Sequence, residues 1–261
     1  SADWANQIMR YQPITHFAAV PTMLRLVLEG EYDSRHMRIL TGGEAVNSKL
    51  SNAIFKRWPN ATINGIYGLT ETGTCDLFRF DRADLPSDDS LGYPAKQIQV
   101  RIDPITSELL IQSPYSMLGY LDMPKLTKET MCDGWIRTGD IAEINKDGTV
   151  TLRGRIKDLI NRGGNKVAPI EVESVFADHP EISAVLVTGV PDPRFGEAIH
   201  MLVVPKSTKA PSKTALIDWA KSRMDQFKLP DMVHYGKTLP LGPTGKADRV
   251  ALRSSILGTS T

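Results

Sequence analysis

The chain has 261 residues with 31 basic and 30 acidic side chains, which gives a formal net charge of +1. This balance excludes the strong basic field that nucleic-acid-binding proteins use. Its two cysteines, Cys75 and Cys132, lie too far apart in the sequence to suggest a metal site, and a chain of this length needs no disulfides. Its longest apolar run, at 182–190, is interrupted and too short to span a membrane. The first residues lack the features of a signal peptide, so we expect a cytoplasmic protein.

The N-terminal part of the chain alternates between predicted strands and predicted helices. Apolar runs at 15–20, 37–40 and 62–67 are typical of strands. Pro21 stands where a helix can begin, and the segment 48–58 carries apolar residues at intervals of four. A strand–helix–strand–helix–strand order predicts a parallel sheet with helices packed against it.

The pattern changes to short alternating strands in the middle of the chain. QIQVRID at 97–103 and ELLIQ at 108–112 are predicted as strands, and Asp147-Gly148 lies between two further strands as a hairpin turn. We therefore predict a small antiparallel, barrel-like lobe.

The C-terminal part of the chain shows a third pattern. A helix is predicted to begin at Pro169, strands are predicted at 184–189 and 198–204, and a helix is predicted at 213–224. This mixture predicts a compact α+β domain. The expected fold is thus α/β: the end of a large parallel-sheet domain with a β-rich lobe, followed by the α+β domain.

Four short motifs carry the functional signal: YGLTE at 67–71, RTGD at 137–140, GRIKDLINRGG at 154–164 and PTGK at 243–246. In this order they resemble the adenylate-forming superfamily of acyl-CoA synthetases, luciferases and peptide-synthetase adenylation domains. The resemblance covers most of the chain and indicates the C-terminal half of an AMP-forming acyl-CoA synthetase.

The resemblance also implies a domain organisation. Residues 1–156 would be the C-terminal part of the large domain, with the parallel portion at 1–75 and the β-rich lobe at 76–156. Residues 157–261 would be a mobile C-terminal lid domain.

The reaction implied by the resemblance has two steps. A carboxylic acid and ATP, with Mg²⁺, give an acyl-adenylate, and CoA then gives an acyl-CoA thioester. Charge accumulates on the phosphoryl oxygens, so fixed cations and hydrogen-bond donors are the expected catalytic groups. Two alternatives stay open: an enzyme that loads a carrier protein, and a non-catalytic nucleotide-binding module.

Two motifs supply the implied phosphate and ribose contacts. By resemblance, Thr70 binds the α-phosphate and Glu71 holds Mg²⁺, which prefers oxygen ligands. Both follow a predicted parallel strand, at the sheet edge where ligands usually bind. Asp140 is implied to bind the two ribose hydroxyls, with Arg155 supporting the same sugar.

The implied adenine contacts come from two glycine-containing segments. Gly42, Gly43 and Glu44 lie against the adenine in relatives, and Tyr67, followed by Gly68, stacks on it. A tight turn between strand and helix is the alternative interpretation for Glu44.

The remaining implied residues belong to the C-terminal part. Lys246 would reach the substrate carboxylate and the α-phosphate. PTGK is no Walker loop, because the spacing of its glycines is wrong. A hinge is implied at Lys157 and Asp158, and Gly163 and Gly164 would line the channel for the CoA thiol, although a flexible hairpin tip would also explain these glycines.

The family also carries a Ser/Thr/Gly-rich loop, ending in Lys, that wraps the β and γ phosphates. No such loop occurs in these 261 residues. We therefore expect a fragment that is inactive by itself, with an open sheet edge that favours self-association. No charged partner for an amino-acid amine is identifiable, which favours a fatty or other simple carboxylic acid as substrate.

Overall fold

The structure is a computed structural model that describes residues 2–28, 33–43, 46, 48–73, 75–84, 89–243 and 246–258. The backbone divides into two compact units, Ser1–Leu152 and Arg153–Thr261. The predicted domain boundary at 156 and the mobility of the C-terminal domain remain predictions. Within the described ranges, no helix is long and apolar enough to cross a membrane.

The first sheet has five strands in the spatial order in which they follow along the chain: β1 (His16–Ala18), β2 (Arg38–Gly42), β3 (Thr62–Tyr67), β4 (Leu77–Arg82) and β5 (Tyr93–Pro94). The pairs β1–β2 and β2–β3 are parallel, which confirms the prediction. The sequence did not predict that β4 and β5 extend this sheet in antiparallel fashion.

Three helices accompany this sheet: α1 (Ala2–Tyr11), α2 (Pro21–Val27) and α3 (Ser48–Arg57). Pro21 occupies the first turn of α2, as predicted, because the missing N–H is not needed there. On α3 the predicted apolar face is buried, with Leu50 3% and Ile54 0% exposed. These side chains pack with Ile39 and Ile63 of the sheet in one apolar core, so burial of this face fixes the helix on the sheet.

The second sheet forms the predicted antiparallel lobe. Its strands are β6 (Gln99–Ile102), β7 (Glu108–Gln112), β8 (Met131–Cys132), β9 (Trp135–Ile144) and β10 (Val150–Arg155), and helix α4 (Pro124–Thr130) precedes β8. The spatial order is β10-β9-β7-β6, with β8 also paired to β9. The predicted hairpin turn between β9 and β10 is confirmed, since Asn145 N donates to Thr149 O at 2.8 Å and Gly148 has a positive φ of 87°.

The second unit contains the third sheet. Its strands are β11 (Ile160–Arg162), β12 (Asn165–Val167), β13 (Ile182–Asp192), β14 (Gly196–Pro205) and β15 (Met232–Tyr235), and its helices are α5 (Pro169–Ala177), α6 (Lys213–Lys221) and α7 (Arg249–Leu257). The order β12-β11-β14-β13, with β15 parallel to β14, confirms the predicted α+β fold. Val172 and Phe176, four apart on α5, are fully buried in its core.

Candidate functional site

Two parallel strands lie side by side at the segment predicted to contact adenine. Gly42, the last residue of β2, pairs in register with Ile66 of β3. A Cβ atom at Gly42 would lie 2.7 Å from the carbonyl oxygen of Ile66, so this position requires glycine. Gly43 has a positive φ of 81°, which also favours glycine. Glu44 lies outside the described residues.

The YGLTE motif forms a turn directly after β3. Tyr67 ends the strand, Gly68 is exposed, and a 3₁₀ turn spans Thr70–Thr72. Thr70 is exposed and Glu71 is half-buried. The structure thus places the two residues predicted to contact phosphate and metal on one turn at the carboxyl end of a parallel strand, as expected for ligand sites in such sheets.

The carboxylate of Glu71 has a hydrogen-bond partner in the segment between β7 and α4. The hydroxyl of Tyr120 donates to Glu71 Oε1 at 2.7 Å. The hydrogen bond to this carboxylate raises the pKa of Tyr120, because it stabilises the protonated phenol. The backbone oxygen of Glu71 accepts from Met117 N at 2.8 Å. Glu71 is therefore held at both its backbone and its side chain.

Asp140 connects the RTGD motif to the YGLTE motif. The hydroxyl of Tyr67 donates to Asp140 Oδ2 at 2.6 Å, across 73 positions of sequence. Asp140 is only 1% exposed, and its backbone N donates to Thr138 Oγ1 at 3.0 Å. A ribose that bound this carboxylate would have to share it with Tyr67 or replace that hydrogen bond. The structure thus brings the two motifs together within the first unit.

Glu108 of β7 holds the backbone beside Asp140. Its Oε1 accepts from Gly139 N at 2.8 Å, and its Oε2 lies 2.7 Å from Nη2 of Arg137. Gly139 has a positive φ of 72°, a conformation that glycine adopts without strain. Glu108 is 3% exposed. A buried carboxylate with a charged partner is a rigid support for the segment that carries Asp140.

A further buried carboxyl group, that of Asp76, is hydrogen-bonded to residues at the YGLTE turn. Its backbone N donates to Tyr67 O at 2.8 Å, and its Oδ2 accepts a short hydrogen bond from the hydroxyl of Thr72. Its Oδ1 has no hydrogen-bond partner among the described residues. Burial raises the pKa of Asp76, because the charged form loses its hydration.

In the second unit, the predicted ribose-supporting and hinge residues are consecutive. Arg155 is exposed at the end of β10, and the next three residues form a 3₁₀ turn, Ile156–Asp158. Lys157 is exposed on this turn. Asp158 Oδ2 lies 3.7 Å from Nε of Arg249 at the start of α7. The turn is thus connected to the last helix of its own unit.

Gly163 and Gly164 form the two-residue tip of the hairpin between β11 and β12. Their φ angles are 58° and 84°, and Gly163 N donates to Phe195 O at 2.8 Å. Two consecutive positive φ values are typical of the tight turns that match the twist of a hairpin. The turn itself therefore accounts for both glycines, and their role in a thiol channel stays a prediction.

Lys246 lies before α7, in a segment that we call the lysine loop and whose described residues are 240–243 and 246–248. Gly242 N donates to Lys246 O at 2.8 Å, and Leu241 pairs with Ala247 as an isolated antiparallel bridge. The Lys246 side chain is exposed. The loop is closed at its base by these contacts and presents the lysine to solvent.

Sequence reasoning missed four polar residues that hold the predicted ones: Asp76, Glu108, Tyr120 and Arg249. Tyr120 lies 49 positions from Glu71, and Glu108 lies 31 positions from Gly139. No periodicity relates such distant pairs, because only the packing of the sheets brings them together. Arg249 had a local signal, since it follows Lys246 by three positions at the start of a helix.

Comparison with known families shows to which superfamily the chain belongs. The profile of the family described as AMP-binding enzyme matches residues 1–121, and that of the AMP-binding enzyme C-terminal domain matches residues 171–246. The chain belongs to the adenylate-forming superfamily. The resemblance inferred from the four motifs is thereby confirmed.

Members of this superfamily are similar to the chain along most of its length. A fatty acid–[acyl-carrier-protein] ligase, ScoC of Streptomyces coeruleorubidus, is 32% identical over 100% of the chain and 53% of its own length. A feruloyl-CoA synthase of an Amycolatopsis species is 32% identical over 89% of the chain and 50% of its own length. The chain therefore spans about half the length of these curated relatives.

The fold is also that of solved adenylate-forming enzymes. O-succinylbenzoate coenzyme A synthetase from Bacillus subtilis, in complex with ATP and magnesium ion, matches 97% of the chain and 54% of its own chain, with a TM-score of 0.82 and 25% identity. Similarity at this level confirms the predicted α/β architecture of the superfamily.

The described residues fit a nucleotide-bound magnesium ion better than a protein-enclosed metal. No group of three or more His, Cys, Asp or Glu side chains that could hold a metal ion occurs in the described part of the chain. Mg²⁺ at nucleotides typically uses one or two carboxylates together with phosphate oxygens. Glu71, on a turn beside the exposed Thr70, offers one such carboxylate.

Proposed function

We propose that the chain contributes to an ATP-dependent, AMP-forming carboxylic acid:CoA ligase. The observation that carries the proposal is the 2.6 Å hydrogen bond between Tyr67 and Asp140, which unites two nucleotide motifs in one site. Names of relatives such as feruloyl-CoA synthase support the same reaction class. Because the chain spans about half the length of these relatives, the activity is proposed for the complete enzyme that carries it.

The first half-reaction makes a mixed anhydride. A carboxylate oxygen of the acid forms a bond to the α-phosphorus of ATP, the bond to the bridging oxygen breaks, and pyrophosphate leaves with the electron pair. We assign the α-phosphate to the Thr70 hydroxyl and the substrate carboxylate and α-phosphate to Lys246. A compact ammonium on a flexible stem suits the charge that develops there.

The nucleoside would be held by the other predicted residues. Asp140 would accept from the ribose hydroxyls, with Arg155 beside the same sugar, while Gly42 and Gly43 would let backbone approach the adenine. Tyr67 would stack on the base through its ring while its hydroxyl stays near Asp140.

Glu71 is the residue proposed to hold Mg²⁺. The ion, when bound with ATP, would neutralise charge on the phosphates. The hydroxyl of Tyr120 orients the Glu71 carboxylate for this task, since it fixes Oε1 at 2.7 Å. The backbone bond from Met117 N limits movement of the turn.

The second half-reaction transfers the acyl group. The thiol of CoA loses its proton to solvent and its sulfur attacks the acyl carbon. A thioester forms, the bond between the acyl carbon and the phosphate oxygen breaks, and AMP leaves with the electron pair. We propose that Lys157 and Asp158 are the hinge about which the C-terminal domain turns between the two steps. Gly163 and Gly164 would then pass close to the thiol-bearing arm.

A carrier protein is the second candidate acceptor. The observation that favours it is the 32% identity to a fatty acid–[acyl-carrier-protein] ligase over 100% of the chain. Both acceptors present a thiol, so the first half-reaction is unchanged. A fatty or other simple carboxylic acid is the proposed substrate, and the cytoplasm, with its ATP and CoA, is the proposed location.

The nucleotide site can be tested by titrating the chain with AMP in a calorimeter. Asp140→Asn removes a charged acceptor, and we expect AMP affinity to fall about 10-fold or more, as for loss of a charge-assisted hydrogen bond. Asp133→Asn makes the same substitution at an exposed residue whose φ of 50° asparagine tolerates, and it should leave affinity unchanged. Equal affinity of the Asp140 variant and the parent chain would contradict the proposed ribose contact.

A further inference from the structure

Arg249 is the centre of a charge cluster in the second unit. Its guanidinium group pairs with both carboxylate oxygens of Glu173, with Nη2 at 2.9 Å from Oε2. The same group donates through Nη1 to Val187 O at 3.1 Å. Its Nε lies 3.7 Å from Oδ2 of Asp158. One side chain thus contacts α5, β13 and the 3₁₀ turn that contains the proposed hinge.

Glu173 depends on this guanidinium group. Its side chain is 15% exposed, and burial raises its pKa while the charge of Arg249 opposes that rise. Glu173 Oε1 also accepts from Val187 N at 2.7 Å. A bidentate pair between Arg and a carboxylate fixes the orientation of both side chains. A single charge contact does not fix it.

The lysine loop is attached directly to Arg249. Asp248 N donates to Pro240 O at 2.9 Å and closes the base of the loop, and Asp248 Oδ1 accepts from Ala251 N at 3.0 Å and caps α7. Arg249 is the next residue and the first of that helix. Any shift of the Arg249 backbone therefore moves the loop that presents Lys246.

We propose that Arg249 is a positioning residue: through Glu173 and Asp158 it fixes the lysine loop relative to the hinge turn, so that Lys246 and the hinge move as one piece. The inference rests on the proposed function, in which Lys246 acts only in the adenylation step. A small displacement of a reacting group costs a large factor in rate. Loss of Arg249 should therefore weaken the adenylation step and spare the thiol step.

The test compares Arg249→Lys with Arg253→Lys in the complete enzyme that carries this chain. Arg253 is a matched control, because it lies one turn later on α7 and pairs with Glu197 at 3.4 Å. We expect Arg249→Lys to lower the kcat of ATP–pyrophosphate exchange about 100-fold. Thioester formation from supplied acyl-adenylate should stay within about 2-fold, and Arg253→Lys should leave both rates unchanged.

A double variant separates positioning from folding. Arg249→Gln with Glu173→Gln removes both charges, so no uncompensated carboxylate stays buried. We expect its thermal midpoint to stay near that of the parent protein and its exchange kcat to remain low. Recovery of the parent exchange rate in the double variant would overturn the proposal, since charge balance alone would then be sufficient.

Amide hydrogen exchange on the 261-residue chain gives a readout that needs no activity. The amides of Gly242 and Asp248 are bonded within the lysine loop and should exchange faster in Arg249→Lys but not in Arg253→Lys. Unchanged protection at both amides would overturn the inference, as would equal loss of both half-reactions. If the parent enzyme catalyses neither half-reaction with any carboxylic acid, the proposed function fails, and the reaction role of Arg249 fails with it.

Discussion

At the scale of single residues, the predicted functional side chains differ in their exposure within each unit. Thr70 and Lys246 are exposed, whereas Asp76, Glu108 and Asp140 are almost completely buried. Thr70, Lys246 and Asp140 belong to recognisable motifs, whereas Glu108 and Asp76 lie outside the motifs and hydrogen-bond to the backbone of Gly139 and Tyr67. Substitutions in the two classes should therefore have different effects.

Lys246→Ala in the complete enzyme should abolish acyl-adenylate formation while sparing thioester formation from supplied acyl-adenylate. A single cationic donor at a phosphoryl transition state contributes about 3 to 4 kcal/mol, or a factor of hundreds in rate. The measurement is pyrophosphate exchange beside a single-turnover thioester assay. Equal loss in both assays would contradict the assignment of Lys246 to phosphoryl transfer.

Asp76→Asn should change the pH dependence of stability. Burial raises the pKa of Asp76, so its contribution to stability is present below its unfolded pKa and is lost as the pH rises through its folded pKa. Removing this titration should make the variant progressively more stable, relative to the parent chain, as the pH rises from about 4 to about 7. Urea unfolding at several pH values measures this difference.

Asp147→Asn is a control for that experiment, because the pKa of Asp147 is shifted in the opposite direction to that of Asp76. Hydrogen bonds from Thr149 lower the pKa of Asp147, so its contribution is present at neutral pH and is lost on acidification. The relative stability of this variant should therefore fall as the pH rises. The same pH trend for both variants would show that burial does not govern the titration of Asp76.

At the scale of elements, most candidate site residues lie on turns and at strand ends, and the sheets position these turns. Gly42 and Tyr67 end neighbouring parallel strands, and Asp140 lies within β9 of a different sheet. In the second unit, the hinge turn and the lysine loop are connected by ion pairs of Arg249. The hairpin tip at Gly163-Gly164 is a separate element that can be altered without touching either group.

Gly164→Leu should leave pyrophosphate exchange nearly intact and slow the thiol step, because only that step needs close approach to the backbone. An added Cβ would meet no atom within 4 Å, so the loss would not come from a clash inside the unit. Gly164→Asn adds a side chain with less backbone strain at the φ of 84° and should also slow the thiol step. A parallel fall in exchange and thioester formation would mean that the tip is structural.

At the scale of the whole molecule, two units with separate apolar cores carry different parts of the proposed chemistry. The core of the first sheet includes Trp58 and Ile63, and that of the second unit includes Phe176 and Ile199. Separate cores allow the units to unfold separately. Separate cores are also compatible with the domain rotation that we propose between the two half-reactions.

The 261-residue chain alone should show no ATP-dependent thioester formation. Its sequence has no Ser/Thr/Gly-rich loop for the β and γ phosphates, and β1 is paired only on the side of β2 among the described residues. We expect self-association through residues 1–75 and a protease-resistant core beginning near residue 155. Turnover with ATP, CoA and any carboxylic acid would contradict this prediction, as would a monomeric chain protected uniformly against hydrogen exchange.

The amino-acid sequence was sufficient to identify the fold class and the superfamily, and it predicted a set of candidate site residues within short motifs. Apolar residues that recur every two or nearly every four positions indicate which segments form strands and helices. The YGLTE and RTGD motifs are each contiguous in the sequence, so they can be recognised without knowledge of the fold. The turn glycines were also visible, because a positive φ is a local requirement.

How those residues are held depends on tertiary packing. The pairings of Tyr67 with Asp140, Tyr120 with Glu71, and Arg249 with Glu173 join positions 73, 49 and 76 residues apart. The antiparallel addition of β4 to the parallel strands was likewise settled by pairing across the sheet. Such contacts depend on which faces of the helices and sheets pack together. The local pattern of residue types along the sequence does not predict that packing.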